Sequence, residues 1–544
     1  MMENQVQPNA LISVYDKTGI EEFAHGLADL GWKIYASGGT AQAIKKSGVK
    51  VTDVSELVGG QAILGHRVVT LSREIHAGIL ADNTKQQAAE LKRLGIPRID
   101  LVCVDMYPLT EAINNGAPES EIIEKTDVGG PTLLHAAAKG RRIVLSKPSQ
   151  RQTVLDWLKA GRPNEQQFIK SLAAAAELEV ARYILESAKY LNGSEAFGFI
   201  GNQIAQAKYG ENPWQGGAGL YARRSDQDPL SIANFAQVGG TGLSYNNYAD
   251  IDRLLQTITH IAAGFDKNFN QVPAIALGAK HGNVCGAAVS ENPDEAIKKM
   301  LEGDSRAIFG GCVMINFAVD EDEANLLLEH AMNGGKRLLD VVAAADFTDK
   351  AMEILQRRGG KLRLVKNSAL GQLNQKSLDI ARRFRYVRGG VLAQQNYDFV
   401  LDFKSAELEK ASQSSFARPG LANEEKDMLL AWAIGSTSNS NTITLVKNGM
   451  LIGNGVGQQD RVSAAQLALK RTRDAGHDTD GAVAYSDSFF PFPDGAETLA
   501  KAGIKAIFAT RGSVNDHKVV EALKKAGVAF YTLPDATARG FYAH

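Results

Sequence analysis

The first fifty residues repeat one plan, an apolar segment followed by a small polar loop and a helical segment, and this repeat constrains the fold most. The segment Ala10–Tyr15 precedes a helix whose apolar residues stand three and four positions apart. The plan recurs as Trp32–Ala36, a loop at Ser37–Thr40 and a helix at Ala41–Ser47. Strand, loop and helix in this order predict parallel strands joined by right-handed crossovers.

The two loops of this repeat are candidates for binding a phosphate. A helix N-terminus offers unpaired N–H groups, and glycine lets the backbone approach an anion closely. Neither loop carries a Walker or dinucleotide fingerprint, so ordinary turns remain the alternative. The candidate residues are Lys17, Thr18, Gly19, Ser37, Gly38, Gly39 and Thr40.

Composition limits the class of partner. The 544 residues are enough for several domain-sized cores. Lys and Arg number 60 against 61 Asp and Glu, a balance that argues against nucleic acid or anionic lipid and favours a small substrate. The start of the chain lacks a hydrophobic signal region, and no run is long enough to span a bilayer, so we expect a soluble, untargeted protein.

Three widely spaced cysteines, Cys103, Cys285 and Cys312, fit a reducing cytoplasm. Their spacing predicts neither a disulfide framework nor a zinc site.

The stretch Lys280–Gly286 follows the apolar run Val272–Gly278 and places a basic pair where a buried strand should end. Neighbouring residues of a continuing strand point to opposite faces, so Lys280 and His281 can serve one ligand only if the strand stops there. A lysine beside a titratable histidine at a strand end is a plausible acid/base pair. A solvated turn is the alternative.

Further candidates stand near the ends of other predicted elements. Arg67 precedes a short apolar run, Tyr107 follows the predicted strand Ile99–Asp105, and Asp127 precedes the predicted helix Leu133–Lys139. Singly, such residues are more often solvated or capping than catalytic. The aromatic cluster Phe489, Phe490 and Phe492 would form core packing unless a flat ligand lies near it.

A long helical stretch at Gln166–Leu191 contains no breaker and reads as a connecting helix. Glycines and strands resume at Lys208–Pro213, which places a domain boundary between the two.

Ordered motifs then carry a resemblance to one family. Besides the loops above they are Arg67–Leu71, Tyr107–Pro108, Asp127–Pro131, Tyr209–Pro213, Leu243–Asn247, Lys280–Asn283, Phe309–Gly311, Gly455–Gln459 and Phe489–Phe492. Over essentially its whole length the chain resembles the bifunctional purine-biosynthesis proteins that join AICAR transformylase to IMP cyclohydrolase. The resemblance implies an α/β protein with a methylglyoxal-synthase-like parallel-sheet domain at 1–199. It implies a transformylase at 200–544, built from two cytidine-deaminase-like α/β subdomains.

The same resemblance implies 10-formyltetrahydrofolate as formyl donor and a homodimer with the transformylase site at the subunit interface. A zinc deaminase needs His-x-Glu and a later Pro-Cys-x-x-Cys, whereas this chain has His281-Gly282-Asn283 and no Cys-x-x-Cys. We therefore expect no catalytic metal.

At the transformylase site the resemblance assigns His281 as base, Lys280 as proton donor or electrostatic stabiliser, and Asn441 as the residue that orients the reacting groups. Phe490 would pack on a flat ring. The nucleotide contacts it implies are Tyr209, Gly310, Asp340, Arg461 and Arg539, and the other substrate contacts are Lys208, Gly210, Phe490 and Asp494.

At the cyclohydrolase site the resemblance implies that Arg67, Tyr107, Asp127 and Lys139 act on the substrate. Ring closure needs donors for the oxyanion and the departing water. The further substrate contacts are Thr70, Gly129 and Gly130.

This chain departs from the family pattern at both sites. At the cyclohydrolase site Val69 stands where the family carries lysine and Tyr15 where it carries serine, which predicts weakened ring closure. At the transformylase site Lys208 replaces arginine and loses its bidentate fork. The other departures there are Trp214 for histidine, Val284 for proline, Asn439 for lysine, and Thr510-Arg511-Gly512-Ser513 for Pro-Gly-Gly-Ser.

Three functions therefore stand at this point. The first is the bifunctional purine enzyme, with a weaker first site. The second is a paralogue that acts on a related aminoimidazole or purine-like nucleotide, or a transformylase alone. The third is a non-catalytic nucleotide-binding protein, against which the Lys280–His281 pair argues.

Overall fold

A computed structural model describes residues 7–64, 68–222, 228–412 and 421–542. Internal packing separates a first unit, Met1–Ile200, from a second unit, Gly201–His544. The separation falls one residue after the boundary expected from the sequence. Which activity each unit carries stays a prediction.

The described part of the first unit contains a five-stranded parallel sheet in the order β3-β2-β1-β4-β5. Its strands are β1 (Asn9–Val14), β2 (Lys33–Ala36), β3 (Val51–Asp53), β4 (Leu101–Asp105) and β5 (Ile143–Leu145). Its helices are α1 (Ile20–Asp29), α2 (Gly38–Lys46), α3 (Arg73–Leu80), α4 (Lys85–Leu94), α5 (Leu109–Asn114), α6 (Glu119–Glu124), α7 (Gly129–Lys139), α8 (Gln150–Lys159) and α9 (Glu165–Asn192).

The strand–helix repeat predicted for the start of the chain is confirmed. β1 lies between β2 and β4, and all three are parallel. The apolar residues Ile20, Phe23 and Leu27 of α1 are fully buried against this sheet, as their helical spacing predicts. The carboxyl ends of β1, β2 and β4 therefore meet at one edge of the sheet.

Two helices begin earlier than the sequence suggested. α2 starts at Gly38, so Gly38–Thr40 form its first turn rather than a loop. α7 starts at Gly129, four residues before the predicted start. Glycine has a low helix propensity, but at a helix start its backbone N–H has no partner within the helix and can serve another acceptor, as the N–H of Gly130 serves Asp127 in α7.

The second unit has strands β6 (Asn202–Gln206), β7 (Gly219–Ala222), β8 (Ala236–Gly239), β9 (Ala274–Lys280), β10 (Asn283–Ser290), β11 (Cys312–Ile315), β12 (Ala318–Val319), β13 (Val341–Ala344), β14 (Asp346–Phe347), β15 (Arg363–Lys366), β16 (Arg383–Val387), β17 (Gly390–Gln394), β18 (Glu409–Ser412), β19 (Ile443–Lys447), β20 (Met450–Gly455), β21 (Val483–Ser486), β22 (Ala506–Arg511) and β23 (Ala529–Pro534). Its helices are α10 (Tyr245–Phe269), α11 (Pro293–Gly303), α12 (Glu321–Glu329), α13 (Asp349–Ile354), α14 (Leu421–Ser436), α15 (Arg461–Asp474), α16 (Pro493–Lys501), α17 (Asp516–Lys525) and α18 (Asp535–Ala538).

Within the described residues, twelve of these strands form one sheet in the order β18-β23-β22-β21-β19-β20-β10-β9-β11-β13-β15-β8. Each half has an antiparallel hairpin, then three mutually parallel strands, then an antiparallel edge strand. The halves join through antiparallel pairing of β10 with β20. The chain thus uses one plan twice and gives the two α/β subdomains predicted. Their likeness to cytidine deaminases rests on the resemblance.

The long helices α10 and α14 pack together on one face of this sheet. They share a core that includes Ile258, Phe265 and the fully buried Trp432. On the opposite face each half has its own core, one around Met300 and one around Ala468. The halves are therefore joined by one common layer and by the central strand pair.

The strand directions bring the predicted residues of the second unit to a single edge of the twelve-stranded sheet. The β9–β10 turn lies there with the amino ends of β11 and β13. Because β10 and β20 are antiparallel, the carboxyl ends of β20 and β21 reach the same edge. Residues far apart in sequence thus lie along one line.

Candidate active sites

The first site lies at the carboxyl edge of the five-stranded sheet. Ser13 Oγ and Ser37 Oγ are 3.0 Å apart, which joins the ends of β1 and β2. Lys17 donates to the carbonyl oxygen of Tyr15 at 3.0 Å, and a Cβ added to Gly39 would lie 3.5 Å from Lys17 Cε. Both predicted loops therefore belong to one site.

Thr40, predicted to contact substrate, is buried and fully engaged by β1. Its hydroxyl accepts from the N–H of Val14 at 3.2 Å and donates to the carbonyl oxygen of Val14 at 3.1 Å. In this structure Thr40 ties the start of α2 to the end of β1. A substrate at this loop would therefore contact the backbone of the first turn of α2 and Ser37.

A buried arginine that sequence reasoning missed holds the Asp16–Gly19 loop. Arg151 donates to the carbonyl oxygen of Thr18 and, at 2.9 Å, to Asp105 Oδ1. The N–H of Asp16 donates to the other oxygen of Asp105 at 2.6 Å. Burial raises the pKa of the Asp105 carboxyl, which the charge of Arg151 opposes. Little in the sequence indicated this contact, because Arg151, on α8, lies 46 residues after Asp105.

Asp127 and Tyr107 form the opposite wall of this site. The N–H of Gly130 donates to Asp127 Oδ1 at 2.9 Å, and a Cβ on Gly129 would lie 3.0 Å from Thr70 Oγ1. Burial raises the pKa of Asp127. Burial and then the charge of Asp127 raise the pKa of Tyr107. Asp127, Tyr107, Thr70 and the start of α7 are thus brought together.

Tyr183, on α9, fixes this wall from behind. Its hydroxyl accepts from the N–H of Asp127 at 2.7 Å and donates to the carbonyl oxygen of Lys125 at 2.6 Å. Nothing in the local sequence pointed to this tyrosine, because it lies 56 residues after Asp127.

Tyr15 and Lys125 add a cation and a phenol that the sequence analysis did not pair. Lys125 donates to Tyr15 Oη at 3.1 Å, and its ammonium lies 4.8 Å from the centre of the Tyr15 ring. The Tyr15 ring meets the Tyr107 ring edge-on, 5.5 Å between centres. The hydrogen bond to Tyr15 raises the pKa of Lys125. Both tyrosines are 43% exposed, so this pair faces the open side of the site.

The structure does not bring Lys139 to this group. Lys139 is the last residue of α7, and Asp127 stands just before its start. Eleven helical residues put about 15 Å between the two ends. The role assigned to Lys139 stays a prediction, and Arg67 lies outside the described residues. Val69 is half-buried against the apolar core.

The second site centres on the turn between β9 and β10. β9 includes Lys280, so the strand ends one residue later than the sequence suggested, and His281 and Gly282 form a two-residue turn. Both turn residues have positive φ, 53° and 72°. Lys280 donates to the carbonyl oxygen of Phe309 at 2.8 Å. Lys280 and His281 can face one ligand only if the strand is interrupted between them, and the hairpin turn provides this interruption.

Gly310 lies beside Lys280, and Asp340 is linked to the neighbouring Gly311. A Cβ on Gly310 would lie 4.0 Å from Lys280 Nζ, and the N–H of Gly310 donates to the carbonyl oxygen of Leu338 at 2.6 Å. The N–H of Asp340 donates to the carbonyl oxygen of Gly311 at 3.0 Å. These residues form one half of the second site, which we name the Lys280 cluster: Lys280, His281, Gly310 and Asp340.

The Lys208–Gly210 segment packs on the start of α10, whose N-terminal turns reach the same edge. The N–H of Lys208 donates to the carbonyl oxygen of Leu243 at 3.1 Å, and the carbonyl oxygen of Tyr209 accepts from Tyr245 at 3.2 Å. Trp214 is 81% exposed, so the residue that replaces the family's histidine makes no core contact.

Asn441 lies in a loop before β19. Its side chain donates to the carbonyl oxygen of Gln458 at 2.8 Å, as its backbone N–H does at 3.1 Å, and the Ser440–Asn441 peptide bond is cis. The side chain is thus anchored to the turn after β20.

The remaining predicted residues gather at the ends of β21, β22 and β23. Arg461 forms an ion pair with the buried Asp487. A Cβ on Gly495 would lie 3.2 Å from the Phe490 ring and 3.6 Å from Arg461 Cγ. Asp494 Oδ1 accepts from the N–H of Gly495 at 2.8 Å. We name Arg461, Phe490, Asp494 and Arg539 the Arg461 cluster.

Arg539 completes this cluster through an ion pair with Asp535 and lies 5.8 Å from the Phe489 ring. β9 and β21 are four positions apart in the sheet, so about 19 Å separates the Lys280 cluster from the Arg461 cluster.

A cavity of about 270 Å³ opens beside the Lys280 cluster, where β10 meets β20. Its lining includes Lys280, His281, Asn283, Asn454 and Arg471. Asp304 also lines the cavity and forms an ion pair with Arg471, so the wall is polar and carries both signs of charge.

Two charged residues of α10 hold the β9–β10 turn, and sequence reasoning missed both. The N–H of Gly282 donates to Asp250 Oδ1 at 2.7 Å, and Arg253 Nε donates to the carbonyl oxygen of Gly282 at 2.8 Å. Burial raises the pKa of Asp250 and lowers that of Arg253 to about 10. Charged residues on the buried face of an otherwise amphipathic helix were the available signal.

No group of three or more His, Cys, Asp and Glu among the described residues could hold a metal ion. No described helix is long and apolar enough to cross a membrane.

Comparisons with known proteins match both units. The profile of the "AICARFT/IMPCHase bienzyme" family matches residues 137–471, and that of the "MGS-like domain" matches residues 19–132. A relative from Persephonella marina (strain DSM 14350 / EX-H1), named "Bifunctional purine biosynthesis protein PurH", is 33% identical over 532 residues. The match covers 96% of this chain and 97% of the relative. A solved structure titled "Crystal structure of ForH" is 34% identical, over 35% of this chain and all of that one, with a TM-score of 0.30.

Proposed function

Because the chain belongs to the AICARFT/IMPCHase bienzyme family, we propose that its two sites catalyse consecutive steps of purine biosynthesis. The second unit transfers a formyl group from 10-formyltetrahydrofolate to AICAR, giving FAICAR. The first unit closes FAICAR to IMP. The alternative of a paralogue with another nucleotide is not favoured, because similarity to the bifunctional relative spans nearly the whole chain.

The proposal of formyl transfer rests mainly on one observation, the position of the Lys280 cluster at the β9–β10 turn. The AICAR amine attacks the formyl carbon, and the bond from that carbon to the folate nitrogen breaks. His281, exposed at the turn, accepts the amine proton, while Lys280 supplies a proton or positive charge to the departing nitrogen. The bond from Lys280 to the carbonyl oxygen of Phe309 holds the ammonium beside Gly310, where a nucleotide can approach the backbone.

Within the Arg461 cluster, Phe490 is the proposed aromatic surface for a flat ring of the substrates, with Asp494 beside it. Arg461, held by its ion pair with Asp487, and Arg539 are proposed contacts of the nucleotide. Within one chain the Lys280 cluster and the Arg461 cluster are about 19 Å apart. We therefore propose a homodimer, in which the Arg461 cluster of a second copy completes the site at the Lys280 cluster.

For ring closure, the amide nitrogen attacks the formyl carbon of the same molecule and water leaves. Proximity supplies much of the rate. The raised pKa of Asp127 suits a group that takes up a proton, and the proposal gives the neighbouring Tyr107 the role of donor to the oxyanion. Ser37, Lys17 and the first turn of α2 are the proposed phosphate contacts.

We also propose that the protein is located in the cytoplasm. The cysteines at positions 103, 285 and 312 are free thiols, which suits a reducing compartment.

The test is to incubate purified protein with AICAR and 10-formyltetrahydrofolate and to separate the products. His281→Ala should lower formyl transfer about a hundredfold or more if general-base catalysis is lost. Ring closure of added FAICAR, measured on the same preparation, is the control for folding. Transfer near the wild-type rate in this variant would remove His281 from the mechanism.

A further inference from the structure

Arg253 joins three segments of the second unit that are remote in sequence. Its Nε donates to the carbonyl oxygen of Gly282 at 2.8 Å, and one terminal nitrogen donates to Asn439 Oδ1 at 2.9 Å. The other terminal nitrogen donates to the carbonyl oxygen of Tyr542 at 3.0 Å. One planar guanidinium thus contacts the His281 turn, the Asn441 loop and the C-terminal segment.

The His281 turn depends on this contact because Gly282 is held from both sides. Asp250 accepts from its N–H at 2.7 Å, and Arg253 donates to its carbonyl oxygen. His281 itself has a φ of 53°, a region that residues with a side chain rarely occupy. Two charge-assisted bonds to the backbone of Gly282, one on each side of its Cα, hold the turn in this conformation.

The Asn441 loop is fixed to the same guanidinium through Asn439. The resemblance places lysine at this position, and lysine offers only donors. Asn439 instead offers an amide oxygen, which accepts from Arg253. The N–H of Asn439 also faces Asn283 Oδ1 at 3.4 Å, directly after the His281 turn.

Tyr542 closes the assembly. Its ring lies 4.6 Å from the guanidinium carbon of Arg253 and 3.4 Å from that of Arg383. Its N–H donates to the carbonyl oxygen of Ser438 at 2.9 Å. The C-terminal segment is therefore tied to the residue next to Asn439.

We propose that Arg253 is a positioning residue of the transformylase site, which sets the separation of His281 and Asn441 and uses Asn439 and Tyr542 as its partners. This inference rests on the proposed formyl transfer. Displacing a reacting group by about 1 Å can cost about a hundredfold in rate, so a residue that touches no substrate can control the step.

The principal test is Arg253→Met, which keeps the apolar stem and removes the fork. We expect kcat of formyl transfer to fall about a hundredfold. The KM for AICAR should stay within about threefold of wild type, since none of the three contacts is with a proposed nucleotide ligand. Ring closure, catalysed by the first unit, should not change. Arg473→Met, which removes an exposed guanidinium from α15, is the matched control.

Hydrogen–deuterium exchange tests the assembly without any substrate. In Arg253→Met, peptides covering 278–285 and 437–443 should both exchange faster, while Arg473→Met leaves both unchanged. If neither peptide changes, Arg253 does not hold these segments and the inference fails, whatever the activity. If wild-type protein transfers no formyl group, the proposed function fails, and this exchange result still decides the structural claim.

Coupling between the partners separates positioning from general loss of stability. Asn439→Leu should slow transfer in the wild type but add little in the Arg253→Met background, because the shared bond is already gone. Arg253→Lys should recover only part of kcat, since one ammonium cannot span three acceptors. Fully additive losses, or full recovery with lysine, would overturn the proposal.

Discussion

Val69 shows how one residue can shift the balance between the two proposed activities. Valine offers neither charge nor donor where the resemblance implies lysine. Its side chain is half-buried against the core of the first unit. Lys125, a cation at this site that the sequence analysis did not assign, donates to Tyr15 Oη at 3.1 Å. We therefore keep the expectation that ring closure is the weaker activity.

Val69→Lys should raise the rate of IMP formation from purified FAICAR. A charge-assisted bond to developing negative charge contributes about a hundredfold in rate. The gain depends on room beside Tyr15. Lys125→Met is the companion variant and should lower ring closure if the Lys125–Tyr15 pair already supplies part of this charge. Rapid closure by the natural protein, unchanged by either substitution, would show that another group supplies the charge.

His260 predicts how stability depends on pH. Its ring is buried, stacks 5.3 Å from Tyr397 and donates from Nδ1 to the carbonyl oxygen of Gln256 at 2.7 Å. Burial lowers its pKa from 6.5 to about 4. Above pH 6.5 the ring is neutral in both states, so it has no effect. As pH falls from 6.5 to 4, only the unfolded chain gains the proton, and stability falls.

Between pH 7 and pH 4.5 this group alone should lower the free energy of unfolding by about 2 to 3 kcal/mol. Urea unfolding of wild type and His260→Leu at both pH values measures the difference. Between pH 7 and pH 4.5 the free energy of unfolding of His260→Leu should fall by about 2 to 3 kcal/mol less than that of the wild type. An equal loss in both proteins would mean that His260 is not held neutral in the fold.

At the scale of elements, the first turn of α7 controls Asp127. A Cβ added to Gly130 would lie 2.4 Å from Asp127 Oδ2 and 3.1 Å from Met106 Cγ. The nearer atom ends a side chain that can rotate away, so the helix can accept alanine if the carboxylate moves. The glycine is thus needed for the site more than for the fold.

Gly130→Ala should lower ring closure about tenfold or more by displacing Asp127, with little change in melting temperature. Formyl transfer should be unaffected. Gly60→Ala, at a position where an added Cβ meets nothing within 4 Å, is the control. A melting temperature of Gly130→Ala far below that of the wild type would show instead that Met106 cannot move to make room for the added methyl group.

At the scale of the molecule, the hairpin β16–β17 is a candidate for the subunit contact. Tyr386 is 80% exposed and Leu392 is 61% exposed. The register pairs Tyr386 with Val391, itself 43% exposed. Tyr386 and Val391 thus share one face of the hairpin, while Leu392, paired with Arg385, lies on the other face. Exposed apolar groups on both faces mark the hairpin as an interaction surface.

We predict a homodimer by sedimentation at micromolar concentration. Tyr386→Glu combined with Leu392→Glu should shift the protein toward monomer and reduce formyl transfer, because the two clusters of one chain cannot meet. Leu94→Glu, a like change at an exposed position of the first unit, is the control. A wild-type monomer with full transfer activity would contradict both the dimer and the shared site.

The sequence by itself determined the order of strands and helices in the first unit and the residues that lie near their ends. The strand–loop–helix repeat predicted the parallel sheet, and the ordered motifs indicated the family and the Lys280 cluster. These features depend on neighbours in the chain, where periodicity and turn chemistry act directly. The starts of α2 and α7 were misplaced because glycine reads as a loop residue even when it begins a helix.

Only the tertiary structure decided which remote side chains meet. Arg253 and Tyr542 are 289 residues apart, and Lys125 and Tyr15 are 110 apart, so no local pattern could pair them. The length of α7 carries Lys139 away from Asp127 although the sequence keeps them close. The repeated plan of the second unit emerges from strand order, because the two halves need the same backbone geometry rather than the same residues.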